Sequence, residues 1–174
     1  TNKVNIFFRS DAPKRTELVS LLKKLKSSGF EKISLELTKK PLNARKAVTS
    51  YAFLTDCLVK ATWEFATKVQ FPTYNPTDAE KLSVISVGGY GRREMAPYSD
   101  VDLLFLTPYK ITPWAESVIE TVLYLLWDLK LKVGHSSRSI RDCLRMGSED
   151  YTIRTAMLEH RFVCGDTGLA SELN

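Results

Sequence analysis

The sequence has few cysteines and no long hydrophobic run. Its three cysteines, Cys57, Cys143 and Cys164, are far apart, odd in number and outside any C-x-x-C arrangement. This pattern argues against a disulfide framework or a zinc site, and it predicts buried thiols in a reducing cytoplasm. Charged residues interrupt every apolar stretch well before the ~20 residues that a membrane-spanning helix requires, so we expect no membrane segment.

The two ends of the chain also lack distinctive features. Residues Thr1–Arg9 have neither the apolar centre nor the cleavage site of a signal peptide. No methionine begins the chain and no structural stop precedes Leu173, so we expect a trimmed piece of a longer polypeptide. The net charge of +5 suits anionic ligands such as nucleotides. Because the excess is mild, nucleic acid is not an expected partner.

Helical patterns fill the first part of the chain. Segment 11–13 contains helix-start residues, and leucines at helical spacing follow it as far as a predicted stop at Gly29. A second, longer amphipathic pattern begins at Pro41 and continues to about Val69. Prolines and an asparagine then predict a loop over 71–77.

Strand patterns appear in the second part. The predicted elements are, in order, strands at Leu82–Val87 and Val101–Leu106, a helix from Pro113, a third strand at Leu129–Val133 closed by Gly134, a short helix capped by Ser139 and Asp142, and a final helix from Ser148 to about Val163. This order predicts a small α/β or α+β core over 78–174, with a helical leader, 1–77, packed on it.

Two aspartates, Asp100 and Asp102, stand at the start of the second predicted strand. Residues two apart in a strand project to one face, so their carboxylates are expected side by side. Two such charges repel each other unless a cation bridges them, and Mg²⁺ is the cation that prefers hard oxygen ligands. Roughly two acid pairs at this spacing are expected by chance. Asp78 and Glu80 form another, which we interpret as solvated or helix-capping residues.

A glycine-rich turn precedes the aspartates. Gly88, Gly89 and Gly91 allow a sharp turn whose backbone N–H groups approach a ligand closely, and a concave set of N–H groups binds phosphate oxygens. The spacing is not that of a dinucleotide-binding G-x-G-x-x-G motif, and no G-K-[ST] follows as in a Walker loop. The turn and the acid pair together indicate a metal-assisted phosphate site.

The whole stretch resembles a known family. Gly88-Gly89 followed by Ser99-Asp100-Val101-Asp102 is similar to the motif of the DNA polymerase β-type nucleotidyltransferase superfamily. More narrowly, G-G-Y-G-R-x-E-x-A-P-Y-S-D-x-D-L-L-F-L resembles the bacterial PII-protein uridylyltransferase/uridylyl-removing family. Arg93 departs from that family, which commonly has glycine there. The resemblance implies an α+β, polymerase β-like core with a small mixed sheet, flanking helices and a helical N-terminal segment.

The resemblance also implies an activity. Family enzymes transfer UMP from UTP to a tyrosine of the PII signal-transduction protein, in the regulation of nitrogen metabolism, and release pyrophosphate. By this resemblance Asp100 and Asp102 are the catalytic, Mg²⁺-binding residues, and Gly88 and Gly89 hold the β and γ phosphates. The family enzymes are multifunctional, cytoplasmic and much longer. The chain is then truncated at its C-terminus relative to them, and the isolated fragment is expected to have weak activity or none.

Three side chains complete the implied site. Ser99 donates a hydrogen bond to a phosphate, and Arg92 either offsets developing negative charge or forms an ion pair with Glu94. The superfamily usually has a third carboxylate on a neighbouring strand, but stretch 131–137 contains no acid. His135 at the end of that strand is a further candidate, either facing the nucleotide or serving a structural role.

Two other functions stay open. One is a nucleotidyltransferase that modifies a different acceptor. The other is a non-catalytic regulatory module that binds a nucleotide or a partner, for which the missing third carboxylate is the best support.

Overall fold

The structure is a computed structural model that describes Val4, Phe7, Phe8 and residues 14–75 and 77–173. Its elements, in chain order, are α1 (Arg15–Lys39), α2 (Ala44–Glu64), β1 (Ser83–Ser86), α3 (Gly88–Gly91), β2 (Val101–Thr107), α4 (Pro113–Asp128), β3 (Val133–Ser139), α5 (Ile140–Glu149), α6 (Tyr151–Leu158), β4 (Arg161–Gly165) and α7 (Thr167–Ser171). The strands form one mixed sheet in the order β3-β2-β1-β4. This architecture confirms the α+β class and is consistent with a polymerase β-like fold.

The sheet separates two layers of helices. β1 runs antiparallel to both β2 and β4, whereas β2 and β3 are parallel. Leu103 and Phe105 of β2 pack in the same core as residues of α2 and α4. Leu104 and Leu106, on the opposite face, pack with residues of α5 and α7. The central strand is therefore covered on both faces, as its continuous apolar sequence predicts.

Helix α1 passes through the position where the sequence predicts its end. A Cβ atom built on Gly29 lies only 2.5 Å from Leu54 Cδ2, so this glycine lets α1 and α2 approach closely. The predicted stop at Gly29 is wrong, and the helix ends at Lys39. The predicted helix start at 11–13 lies outside the described residues, among which the helix begins at Arg15.

The second helical pattern agrees better with the structure. A 3₁₀ turn at Pro41–Asn43 leads into α2, whose last turns continue as a π-helix over Phe65–Gln70. The expected helix end near residue 69 is confirmed. The acid pair at Asp78 and Glu80 forms a 3₁₀ turn with a capping box, in which Glu80 Oε2 accepts a hydrogen bond from the Thr77 N–H at 2.9 Å. This pair has the capping role that the sequence indicates.

The boundaries after α4 differ from the predicted ones. The segment 129–132 closes the helix, because Lys130 has a φ of +57° and the Leu131 N–H donates to Leu126 O. The third strand therefore starts at Val133, and Gly134 lies inside it. The predicted strand at Leu129–Val133 is wrong.

The final predicted helix is also wrong in part. Helix α6 begins at Tyr151 behind the cap of Asp150, whose Oδ1 accepts hydrogen bonds from two backbone N–H groups. It ends at Leu158, and residues Arg161–Gly165 form β4 instead of a last helical turn. β4 is an edge strand that pairs with β1 through a register shift.

Two expectations about composition can be compared with the structure. All three cysteines are free thiols. Cys143 is buried and Cys164 is partly buried, but Cys57 is exposed, so the expectation of a buried thiol is wrong at Cys57. Among the described residues, no helix is both long and apolar enough to cross a membrane.

Candidate functional site

The glycine turn connects the end of β1 to α3. Val87 is fully extended and Gly88 has a φ of +59°, a conformation that a residue with a side chain rarely adopts. The Val87 N–H donates to the carbonyl of Asp102 at 3.1 Å, which ties the turn to β2. The turn is therefore held directly beside the strand that carries the candidate acid.

Asp102 lies between the glycine turn and β3. A Cβ atom built on Gly88 lies 3.6 Å from Asp102 Oδ2, and one built on Gly134 lies only 2.5 Å from Asp102 Oδ1. Gly134 pairs directly with Asp102 across the parallel strands. A larger residue at position 134 collides with the carboxylate, so this glycine provides the space that Asp102 occupies.

Asp100 and Asp102 form a pair of carboxylates that no cation in the described part of the chain neutralises. Asp100 is exposed and Asp102 is half-buried. Burial, and secondly the negative charge of Asp100, raises the pKa of Asp102. Among the described residues neither side chain takes part in a hydrogen bond or a salt bridge. Two neighbouring carboxylates, of which Asp102 is partly desolvated, fit a hard divalent cation.

The loop between α3 and β2 folds back on itself. The Ala96 N–H donates to Ser99 Oγ at 3.1 Å, and the Ser99 N–H donates to the Ala96 carbonyl. The Ser99 hydroxyl therefore supports the turn before Asp100 and still has its own proton to donate. Arg93 has a φ of +61° in this loop, which gives a physical reason for the glycine that the similar family commonly has there.

Arg92 forms ion pairs within the protein. Its Nε lies 2.9 Å from Glu94 Oε2 and its Nη1 lies 2.5 Å from Glu159 Oε2. Of the two roles that the sequence leaves open, this geometry favours the structural ion pair. The second partner, Glu159 after α6, was not anticipated, and it links the glycine turn to the end of that helix.

His135 does not lie on the face that carries Asp102. In the register of β2 and β3 it pairs with Leu103, whereas Asp102 pairs with Gly134. Directly paired residues share a face of the sheet, so His135 lies on the opposite face. Its ring centroid is 6.4 Å from that of Trp127. The structure thus brings together the glycine turn, Ser99 and the two aspartates, but not His135.

No third acid joins the pair in the described part of the chain. Among those residues, no three His, Cys, Asp or Glu side chains come together. Asp128 pairs with Arg15 at 2.8 Å. Ser139 Oγ caps α5 by accepting from the Asp142 N–H at 3.1 Å, and the Ser139 hydroxyl donates to the Asp142 carboxylate at 2.7 Å. Asp142 therefore lies at the helix start that its spacing from Ser139 predicts, and Asp128 is engaged in an ion pair.

A largely buried ion pair supports the glycine turn, and sequence reasoning missed it. Arg161 on β4 donates to both carboxylate oxygens of Asp56 on α2, each at 2.9 Å, and Tyr90 Oη donates to the same carboxylate at 2.7 Å. Arg161 also donates to the carbonyls of Tyr90 and Gly91, each at 3.2 Å. The Asp56–Arg161–Tyr90 network therefore connects the helical leader, the glycine turn and the edge strand.

Electrostatics keep the phenol of this network protonated. Burial, and secondly the charge of Asp56, raises the pKa of Tyr90 well above its usual value. The only sequence signals were an acid within the apolar pattern of α2 and an arginine near the start of β4. Neither signal indicates the partner, because the two residues are 105 positions apart.

A cleft lies on the face of the sheet that carries Asp102, beside Val87 and Leu104. It has a volume of about 150 Å³ and lies between the sheet and α6, with Leu104, Ser136 and Arg138 on its strand side and Thr152 and Met157 on its helix side. The cleft combines hydroxyl groups, one cation and apolar walls, so it offers a few polar contacts on an otherwise apolar surface.

Comparisons with known proteins agree with this geometry. A family model described as glutamate-ammonia ligase adenylyltransferase matches residues 7–122, a segment that includes the glycine turn and both aspartates. Proteins named bifunctional uridylyltransferase/uridylyl-removing enzyme are also similar to the chain. The one from Cereibacter sphaeroides is 56% identical over 160 residues, which is 92% of this chain and 17% of that protein.

Two further relatives carry the same name. The protein from Ruegeria pomeroyi is 52% identical over 164 residues, 94% of this chain and 18% of its own length. The protein from Erythrobacter litoralis is 45% identical over 158 residues, 91% of this chain and 17% of its own length. The chain thus spans less than a fifth of the length of these relatives.

Proposed function

The chain belongs to the glutamate-ammonia ligase adenylyltransferase family, and on that premise we propose that it transfers UMP from UTP to a tyrosine of the PII signal-transduction protein. The family description concerns adenylyl transfer, but the relatives at 45–56% identity are named for uridylyl transfer, which favours UTP as donor. Nucleotidyl transfer is the broad activity that both names share. Tyrosine as acceptor and PII as partner rest on the resemblance of the G-G-Y-G…S-D-x-D stretch.

One observation carries the proposal: Asp102 lies beside the glycine turn, and neither it nor Asp100 forms a salt bridge with any of the described residues. These two residues would hold Mg²⁺. When bound, the ion would neutralise phosphate charge and lower the pKa of an attacking hydroxyl. Three features support the fit of these two residues to Mg²⁺: their hard oxygen donors, the mutual repulsion of their charges, and the space that Gly134 leaves for Asp102.

The other residues of the site bind and orient the nucleotide in this proposal. Gly88 and Gly89 present the first N–H groups of α3, which have no partner within that helix, to the β and γ phosphates. The hydroxyl of Ser99 keeps a proton for a phosphate oxygen. Arg92, which is paired with Glu94 and Glu159, anchors the turn by its ion pairs.

A transfer assay tests the proposal. The chain is incubated with PII and Mg²⁺, with UTP or ATP labelled on the α-phosphate, and label on PII is measured. We expect at least weak label from UTP, and a loss of at least about 100-fold in Asp100→Asn and in Asp102→Asn, because each removes a charge that offsets the cation. Asp78→Asn, in the acid pair of the same spacing, is the matched control and should retain activity.

The outcomes separate the alternatives. Label from ATP, or label on another acceptor, would favour a nucleotidyltransferase with different substrates. The missing third acid in the described residues favours the non-catalytic module, for which tight UTP binding without transfer is the expected result. Near-normal turnover in either asparagine variant would contradict the metal assignment.

A further inference from the structure

A second cavity lies on the other face of the sheet, between the helical leader and the turn that precedes Asp100. Its volume is about 270 Å³. α1 and α2 form one wall, and the segments 95–99 and 130–132 form the other. Ser99 and Val101, which flank Asp100, are among the residues that line it. An occupant of this cavity therefore contacts the turn from which Asp100 projects, without entering the site on the opposite face.

The lining of this cavity is basic. It contains three lysines, Lys26, Lys130 and Lys132, and no aspartate or glutamate. Lys26 is held in place because its Nζ donates to Leu129 O at 2.6 Å and to Lys130 O at 3.3 Å, at the end of α4. An ammonium group has three donors, so one N–H of Lys26 stays available for a ligand. We name this space the basic cavity.

A tyrosine hydroxyl opens onto the basic cavity. Tyr51 is only 3% exposed, and its hydroxyl forms no hydrogen bond among the described residues. Burial, and secondly the nearby Tyr98, raises the pKa of Tyr51, so its phenol stays protonated as a donor. Because this hydroxyl is open to the cavity and has no partner among the described residues, it is available to a ligand that enters there.

We propose that the basic cavity binds a small organic anion. Its carboxylate or phosphate group is held by the lysine ammonium groups and the Tyr51 hydroxyl. Its hydrocarbon part contacts Phe30, Met95 and Leu131, which supply the apolar part of the lining. The anionic group belongs either to a free metabolite or to an acidic side chain of a protein bound to this face. In both cases the chemistry of recognition is the same.

Calorimetric titration without nucleotide tests the proposal. The probes are succinate, inorganic phosphate and an acidic peptide, each added to the complete chain and to the variants Tyr51→Phe and Lys132→Gln. We expect saturable binding of at least one probe and roughly tenfold weaker affinity in each variant, since each loses a hydrogen bond to a charged group. The exposed residues Tyr74 and Lys110 provide matched controls, Tyr74→Phe and Lys110→Gln, which should bind as tightly as the unmodified chain.

The pattern of results identifies the source of the anion. Binding of succinate or phosphate supports a free metabolite, and binding of the peptide alone supports a protein side chain. The proposal is overturned if no probe saturates in the millimolar range, or if Tyr51→Phe and Tyr74→Phe bind alike. Melting temperatures show whether the variants are folded. Because no nucleotide is used, Asp102→Asn should leave this binding unchanged, so the proposed transferase activity and the anion site fail independently.

Discussion

Removing the charge of Asp56 tests whether the Asp56–Arg161–Tyr90 network holds the glycine turn. In Asp56→Asn the side chain keeps its shape, but the guanidinium of Arg161 loses its counter-charge. The two side chains are 13% and 17% exposed, so solvent screens the pair only weakly. Removing one partner of a buried ion pair costs about 3–5 kcal/mol, and the remaining amide oxygen still accepts one hydrogen bond, so we expect about 3 kcal/mol.

This loss is measurable as a change in melting temperature. At roughly 2–4 °C per kcal/mol for a chain of this size, Tm falls by about 6–12 °C. The matched control is Asp128→Asn, which breaks the exposed pair with Arg15, whose side chains are 51% and 45% exposed. Exposed pairs contribute about 0–1 kcal/mol, so the control should melt within a few degrees of the unmodified chain.

The network also predicts a kinetic effect that instability alone does not produce. At a temperature where the variant is fully folded, Asp56→Asn should raise KM for the nucleotide, because Arg161 and Tyr90 no longer fix the turn beside Gly88. A Tm like that of Asp128→Asn would refute the energetic argument. An unchanged KM in a destabilised, folded variant would refute the positioning role.

Three further predictions follow from the contacts of Asp102, the glycines and the thiols. Because the pKa of Asp102 is raised, the folded state binds its proton more tightly than the unfolded state, so the ionisation of Asp102 lowers stability as the pH rises above the ordinary pKa of an aspartate. We therefore expect Asp102→Asn to melt at a higher temperature than the unmodified chain at neutral pH, and this gain to disappear in acid. Thermal denaturation at several pH values measures both. Gly134→Ala should abolish transfer, because the added methyl group displaces the Asp102 carboxylate. The control is Gly29→Ala, whose methyl group comes equally close to the flexible side chain of Leu54, far from the site; this variant should retain transfer activity in the same assay. The exposed Cys57 should react first with a thiol reagent at mildly alkaline pH. Burial raises the pKa of Cys164 to about 12, so this thiol should react only after unfolding. Equal reaction rates of the two thiols in a time course would contradict this difference in burial.

The parts of the fold and site that the sequence predicted are those specified by neighbouring residues. β2 is an apolar run preceded by two acids, and the glycines before it permit only a turn, so the combination could be identified without coordinates. The positive φ of Gly88 and the unpaired carboxylates of Asp100 and Asp102 agree with that interpretation.

The rest depends on contacts between distant segments. Gly29 resembles a helix stop because nothing nearby shows that Leu54 packs over it. β4 has five residues and becomes a strand through its pairing with β1, so the periodicity of the sequence favoured continuing the preceding helix. The sequence predicts that Gly134 ends a strand, whereas its lack of a side chain makes room for Asp102 across the sheet.

Binding of a divalent cation together with UTP tests the central claim most directly. Manganese(II) serves as a paramagnetic substitute for Mg²⁺, and its free concentration is followed by electron paramagnetic resonance with and without UTP. We expect the unmodified chain and Asp78→Asn to bind the ion with UTP, and Asp100→Asn and Asp102→Asn to lose most of that affinity. Equal affinity for the ion in either of the last two variants would contradict the account.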